Sequence, residues 1–245
     1  MNKLPEITLY FWIMKICATT LGETAGDLLS MTMNVGYAAS SIILISIFLA
    51  TLIAQMMAKK HYALLYWLVI LSTSTAGTTM SDYMDRTLGL GYATGSAILI
   101  CILIAILMIW RFNVGSLSVT NIKTVKVELF YWITILFSNT LGTALGDFLA
   151  DDSGLGFAGG ALLISGILAL IALAAFYTRI SKVVLFWLAF ILTRPFGATL
   201  GDFLTKTHEK GGLDLGTVDS SLVLAVILLI VIAYTSLRKN QYVTS

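Results

Sequence analysis

Long apolar runs alternate along the chain with short polar segments. Runs of about 20 residues, the length that crosses a bilayer as a helix, recur eight times: Leu9–Leu29, Gly36–Met57, Ala63–Tyr83, Gly91–Trp110, Leu129–Leu149, Gly156–Tyr177, Val183–Leu204 and Ser220–Leu237. Helices are expected, because a backbone group left unpaired in lipid costs several kcal/mol and the pattern lacks the strict alternation of barrel strands. The odd-numbered runs are flecked with Thr, Ser, Asn and charged residues, whereas the even-numbered ones are almost purely aliphatic.

A longer period overlies this pattern. Aligned on Trp12, Trp67, Trp132 and Trp187, each copy has a glycine ten residues on: Gly22, Gly77, Gly142 and Gly197. Four further on comes a small residue (Gly26, Ser81, Gly146, Gly201), and the next position is always aspartate (Asp27, Asp82, Asp147, Asp202). Another glycine opens the even run at Gly36, Gly91 and Gly156, and an insertion around Thr207–Gly211 shifts it to Gly216 in the fourth copy. Successive copies are 55, 65 and 55 residues apart, so ten extra residues around Ser116–Val125 divide the chain into membrane halves 1–115 and 116–245. Each copy crosses twice, so all four share one orientation. The expected fold is an all-α polytopic membrane protein: eight transmembrane helices in four tandem parallel repeats, with an inner ring of odd helices and an outer ring of even ones.

The W-x9-G-x3-[G/S]-D pattern, four times over eight runs, resembles the bacterial membrane proteins built from four tandem two-helix "repeats of unknown function", each with a characteristic tryptophan. The resemblance implies this architecture and a bacterial inner-membrane location. It implies no activity, so function is read from the residues.

Composition narrows the classes. Of 245 residues, 58% are hydrophobic and 11% charged, with a mean hydropathy of +0.92, against roughly 25% charged in soluble domains. A soluble or disordered protein is excluded, and a net charge of +2 gives no footprint for nucleic acid. Cys17, Cys101, His61 and His208 form no zinc pattern, and no catalytic triad or HExxH appears, so an enzyme is not expected. Pro5 and Glu6 interrupt the start, and no cleavable signal is expected there. Ten of the 15 basic residues fall at one end of the runs (Lys3, Lys59, Lys60, Arg111, Lys123, Lys126, Arg179, Lys182, Arg238, Lys239), while Arg86, Lys206 and Lys210 fall in the opposite loops. The positive-inside rule then puts both termini in the cytoplasm, with the tryptophans as interface anchors.

Residues four apart share a helical face. The odd runs therefore carry polar stripes: Lys15, Thr19, Glu23 and Asp27; Ser74, Thr78 and Asp82; Asn139, Thr143 and Asp147; Arg194, Ala198 and Asp202. Ionisable groups in a membrane face the bundle interior, a partner or water, so the stripes are expected to converge on one path, helped by the small-xxx-small glycine pairs. Straight helices put the aspartates near the outer boundary, and helices broken at the glycines would put them nearer the midplane. Carboxylates with hydroxyl and amide oxygens suit hard cations, which makes Glu23, Asp27, Asp82, Asp147 and Asp202 the candidate metal ligands and Asn139, Thr19 and Thr143 further ion contacts. Lys15 and Arg194 are the candidate charge partners of these acids. A purely structural role for the Gly-Asp pairs, capping the next turn or bonding the next helix's backbone, is the competing reading, and Asp85, Asp151, Asp152, Glu209, Asp214 and Asp219 read as solvated loop charges.

The leading expectation is a secondary transporter exporting a divalent cation (Mn²⁺, Mg²⁺ or Ca²⁺), with proton coupling open to it and no permanently bound cofactor. A carrier of small organic solutes and a non-transporting membrane scaffold are the alternatives. The expected partners are the lipid bilayer, the transported species and a second copy of the chain in a homo-oligomer.

Overall fold

Each apolar run folds as a helix close to its expected bounds: α1 Leu9–Asp27, α2 Tyr37–Met57, α3 Ala63–Asp82, α4 Tyr92–Val114, α5 Val125–Asp147, α6 Gly156–Tyr177, α7 Lys182–Thr205 and α8 Thr217–Val243. The computed structural model describes residues 4–119, 122 and 124–243, and Lys3, Lys123 and the Lys239 side chain lie outside the described part. Among the described residues there is no strand. Seven helices, α2 to α8, are long and apolar enough to cross a membrane, as in a multi-pass membrane protein. The eighth, α1, is 19 residues long and carries Lys15, Glu23 and Asp27.

The odd helices do not break at their glycines. Three of them instead widen into a single π turn immediately after the repeat aspartate, at Leu28–Thr32, Tyr83–Thr87 and Phe148–Asp152, while α7 runs on to Thr205. Asp27, Asp82 and Asp147 make no capping bond to the turn that follows, so the capping alternative has no support at these positions. The chain then reverses at Gly36, Gly91, Gly156 and Gly216, where φ lies between +67° and +82°. A side chain is disfavoured in that left-handed region by roughly 1–2 kcal/mol, which accounts for this glycine in every copy. A 3-10 turn at His208–Lys210 absorbs the insertion in the fourth copy, and Gly216 keeps the same conformation.

Helix α1 packs on α3 and α7, and α5 packs on the same two. The even helices lie against the odd helix of the next copy: α2 on α3, α4 on α5, α6 on α7, and α8 on α1. In the apolar windows, 67% of α3 and α5 is buried, against 22–28% of the even helices.

Glycine notches bring the odd helices together. A Cβ on Gly77 would stand 2.9 Å from the backbone of Asn139 and Thr140, and Gly22, Gly142 and Gly197 meet Ser74, Arg194 and Thr19 in the same way. The residue seven places after each tryptophan thus sits in a notch on the adjacent helix. Gly77→Ala is expected to cost about 1–3 kcal/mol by overpacking. Gly166→Ala, where a Cβ meets nothing within 4 Å, should be neutral or slightly stabilising. Thermal unfolding of the two variants in detergent compares them, and equal midpoints would disprove the close approach.

The tryptophans depart from the expectation of interface anchors. Trp67, Trp132 and Trp187 are buried, as is Trp110, and Trp12 is half-buried. They stack edge-on with Tyr66, Tyr131 and Phe186, because these large rings fill the space between helices that touch through glycine a few turns further along.

Candidate functional site

The polar stripes of α1, α3, α5 and α7 are buried together as successive layers, four residues apart. At the tryptophan end, Phe11, Tyr66, Tyr131 and Phe186, each one residue before a repeat tryptophan, line a cavity of about 400 Å³ with Leu4–Ile7 and Val119. Its Tyr66 and Tyr131 hydroxyls are hydrogen bonded at 2.7 Å.

One turn deeper is Lys15, at the position occupied by Ile70, Ile135 and Phe190 in the other copies. Lys15 is fully buried, with its ammonium 4.0 Å from the centre of the Phe190 ring. The expectation of a carboxylate partner for Lys15 is not met among the described residues. Glu23 is eight residues further along the same helix, about 12 Å at 1.5 Å per residue, and faces α7.

Arg194 does fulfil that role. Its Nη1 donates to Glu23 Oε2 at 2.9 Å, and its Nη2 donates to the hydroxyls of Thr78 and Thr143, each at 2.7 Å. Thr143 in turn donates to the same Glu23 oxygen at 3.1 Å. The guanidinium is fully buried and Glu23 is 3% exposed, and Gly142 gives the arginine stem its room. Asn139 is buried in the preceding layer, where its amide donates to Thr73 at 3.0 Å. Thr19 differs from its expected role as an ion contact. Its hydroxyl lies on backbone carbonyls of Lys15, Ile16 and Thr193, because a threonine back-bonds to its own helix and here fills the Gly197 notch.

The four aspartates form the last layer, all buried. Two bases join them across helix boundaries. Arg86 bridges Asp82 (Nε to Oδ1, 2.9 Å) and Asp147 (Nη2 to Oδ2, 3.0 Å). Lys206 bridges Asp27 (2.5 Å to Oδ2) and Asp202 (3.0 Å to Oδ1). Burial works against the charge on Lys206, but Asp202 and Asp27 outweigh it and hold the ammonium protonated beyond the ordinary lysine range. Beyond this layer lies a second cavity of about 340 Å³, bordered by Met31, Arg86, Asp151, Phe157, Asp202, Lys206 and Lys210.

Glu23, Asp27 and Asp202 each bring one carboxylate oxygen within 4.8 Å of the others. Two oxygens on opposite sides of a Ca²⁺-sized cation, at about 2.3–2.6 Å each, are separated by about that distance. Asp82 and Asp147 stand apart from this trio, paired through Arg86. Sequence reasoning missed Arg86 and Lys206 as members of the site. Both lie four residues after the aspartate of their copy, the ion-pair spacing of a helical face. It also read Asp85 as a loop charge, whereas the π turn of α3 buries it against Gly95, with Ser81 donating to it at 3.3 Å.

A family model described as Repeat of Unknown Function (DUF347) matches residues 10–61, 65–115, 130–181 and 185–241. No curated protein and no solved structure matches the chain.

Proposed function

The chain belongs to the Repeat of Unknown Function (DUF347) family, and on that premise we propose that it is a secondary transporter exporting a divalent metal cation. In this reading it spans a bacterial inner membrane eight times with both termini in the cytoplasm, α1, α3, α5 and α7 surrounding the path and the even helices facing lipid.

The observation that carries the reading is the trio Glu23, Asp27 and Asp202, buried at the head of a polar column and spaced as ligands of one hard cation. Charge supports it. Five buried carboxylates (Glu23, Asp27, Asp82, Asp147, Asp202) face three paired bases (Arg86, Arg194, Lys206), so the acidic groups outnumber the bases paired with them. Oxygen donors without thiol or imidazole favour Mg²⁺, Ca²⁺ or Mn²⁺.

Lys206 then acts as a resident substitute. Its ammonium neutralises Asp27 and Asp202 while the site awaits cargo, and an arriving cation displaces it toward the neighbouring cavity. The carboxylates never stand unpaired in a low dielectric, where isolated charges are most costly. Protonation of the same carboxylates on release supplies a route to proton coupling.

The test is Mn²⁺, Mg²⁺ and Ca²⁺ flux in proteoliposomes. The wild type should move at least one of the three, and Asp27→Asn, verified as folded by thermal unfolding, should fall to the rate of protein-free vesicles. Flux through Asp27→Asn equal to wild type would refute the assignment of the trio as the cation site.

A further inference from the structure

We infer that a small monovalent anion, either chloride or the carboxylate of an organic solute, binds between Lys15 and Arg194. Its Lys15 side lies toward the tryptophan end of the column, two turns from Glu23, while Arg194 also pairs with Glu23 of the trio; the site does not depend on the trio being a cation site.

The inference starts from Lys15. Its ammonium is fully buried and donates to no acceptor among the described residues. An ammonium has three donors and no acceptor of its own. The Phe190 face, at 4.0 Å, offsets part of the lost hydration through the ring quadrupole, but supplies neither a hydrogen bond nor a counter-charge.

One turn along α7 from Phe190 is Arg194. Both of its terminal nitrogens are engaged, and its Nε donates to no acceptor among the described residues. The hydroxyl of Ser74, in the same layer, is also without a partner among the described residues. Among the described residues, three donors on α1, α3 and α7, in adjacent layers of the column, are thus left unused. Two belong to cations, and the nearest carboxylate, Glu23, is already held by Arg194, Thr78 and Thr143.

Water would satisfy the donors, whereas a monovalent anion would in addition supply the counter-charge that the protonated form of Lys15 needs in a low dielectric. Packing alone asks for an apolar residue at this position, since the other three copies have Ile70, Ile135 and Phe190 there. The hydrogen-bonded Tyr66–Tyr131 pair, beside the 400 Å³ cavity, lies one turn from Lys15 along the bundle.

The experiment is thermal unfolding of the purified full chain in detergent, with a bulky sulfonate salt replaced stepwise by sodium chloride or by sodium acetate at constant ionic strength. A midpoint rising by roughly 5 °C at an anion concentration a hundredfold above its Kd is expected for wild type, and no anion response for Lys15→Met. A response to chloride alone identifies an inorganic anion, and one to acetate identifies a carboxylate. A wild-type midpoint indifferent to both anions overturns the proposal whether or not Lys15→Met folds, as does an unchanged response in that variant. Asp27→Asn should keep the anion response while losing any response to Mn²⁺, so failure of the anion site and failure of the cation reading are separate outcomes.

Discussion

Arg194→Met is expected to destabilise the folded chain by about 3–5 kcal/mol, the usual cost of removing one partner from a buried ion pair. The guanidinium is fully buried and joins three helices through one residue: it donates to Glu23 on α1, Thr78 on α3 and Thr143 on α5. Its loss leaves the Glu23 carboxylate buried with threonine hydroxyls and the carboxylates of Asp27 and Asp202 beside it. Arg194→Met combined with Glu23→Gln should recover most of the lost stability, because the penalty belongs to the orphaned charge and not to the missing contact. Unfolding of the two single variants and the double variant in detergent measures the coupling. Near-additive losses would show that the two side chains do not act as a pair.

Lys206→Met is expected to cost about 3 kcal/mol for the same physical reason, but with a different remedy. It leaves Asp27 and Asp202 buried without their shared ammonium, in the cluster that also holds Glu23. On the proposed function, Mn²⁺ or Ca²⁺ should restore the midpoint of this variant by more than it raises wild type, since the ion no longer competes with a resident charge. Arg86→Met is the control. It separates Asp82 from Asp147, two carboxylates outside the trio, so cations should rescue it less. Equal rescue of both variants would remove the trio's claim to specificity. The sign of the pH dependence follows from the raised Lys206 pKa. Its contribution is fully present below the ordinary lysine value of about 10.4 and is lost only as pH rises through the higher folded value. Lys206 itself therefore stays protonated throughout the neutral range.

The helices and the repeat were legible because both are periodic. Apolar length marks the runs, and the Trp-to-Gly-to-Asp offsets place four aspartates at equivalent heights without knowledge of any contact. Charge partners were harder, since they depend on which helix lies beside which. The sequence offered Lys15 and Arg194 as equals. Only the notch at Gly142, which lets Arg194 reach across to Glu23, separates them. Arg86 and Lys206 carried a readable signal in their four-residue spacing from Asp82 and Asp202. They were passed over because charges between apolar runs are usually solvated, and here a π turn and the end of α7 fold them back onto the aspartate layer. The tryptophans misled for a related reason: a ring near a helix end suits a lipid headgroup or the gap between two helices equally well.

The offset packing of the hairpins has a consequence for how the protein is made. Each even helix rests on the odd helix of the following copy, and the last of them, α8, returns to the first, with Ser221 on Thr24 at 2.8 Å and the Cys17 thiol on the Leu224 carbonyl at 3.2 Å. These contacts join segments 197 and 207 residues apart, so α1 lacks one flank of its packing until the final helix has been synthesised. An open solenoid tolerates the gain or loss of a unit because each contacts only its neighbours. Here a fifth hairpin, or the deletion of one, would remove the meeting of the two chain ends, which makes the copy number a property of the closure and not of any single repeat.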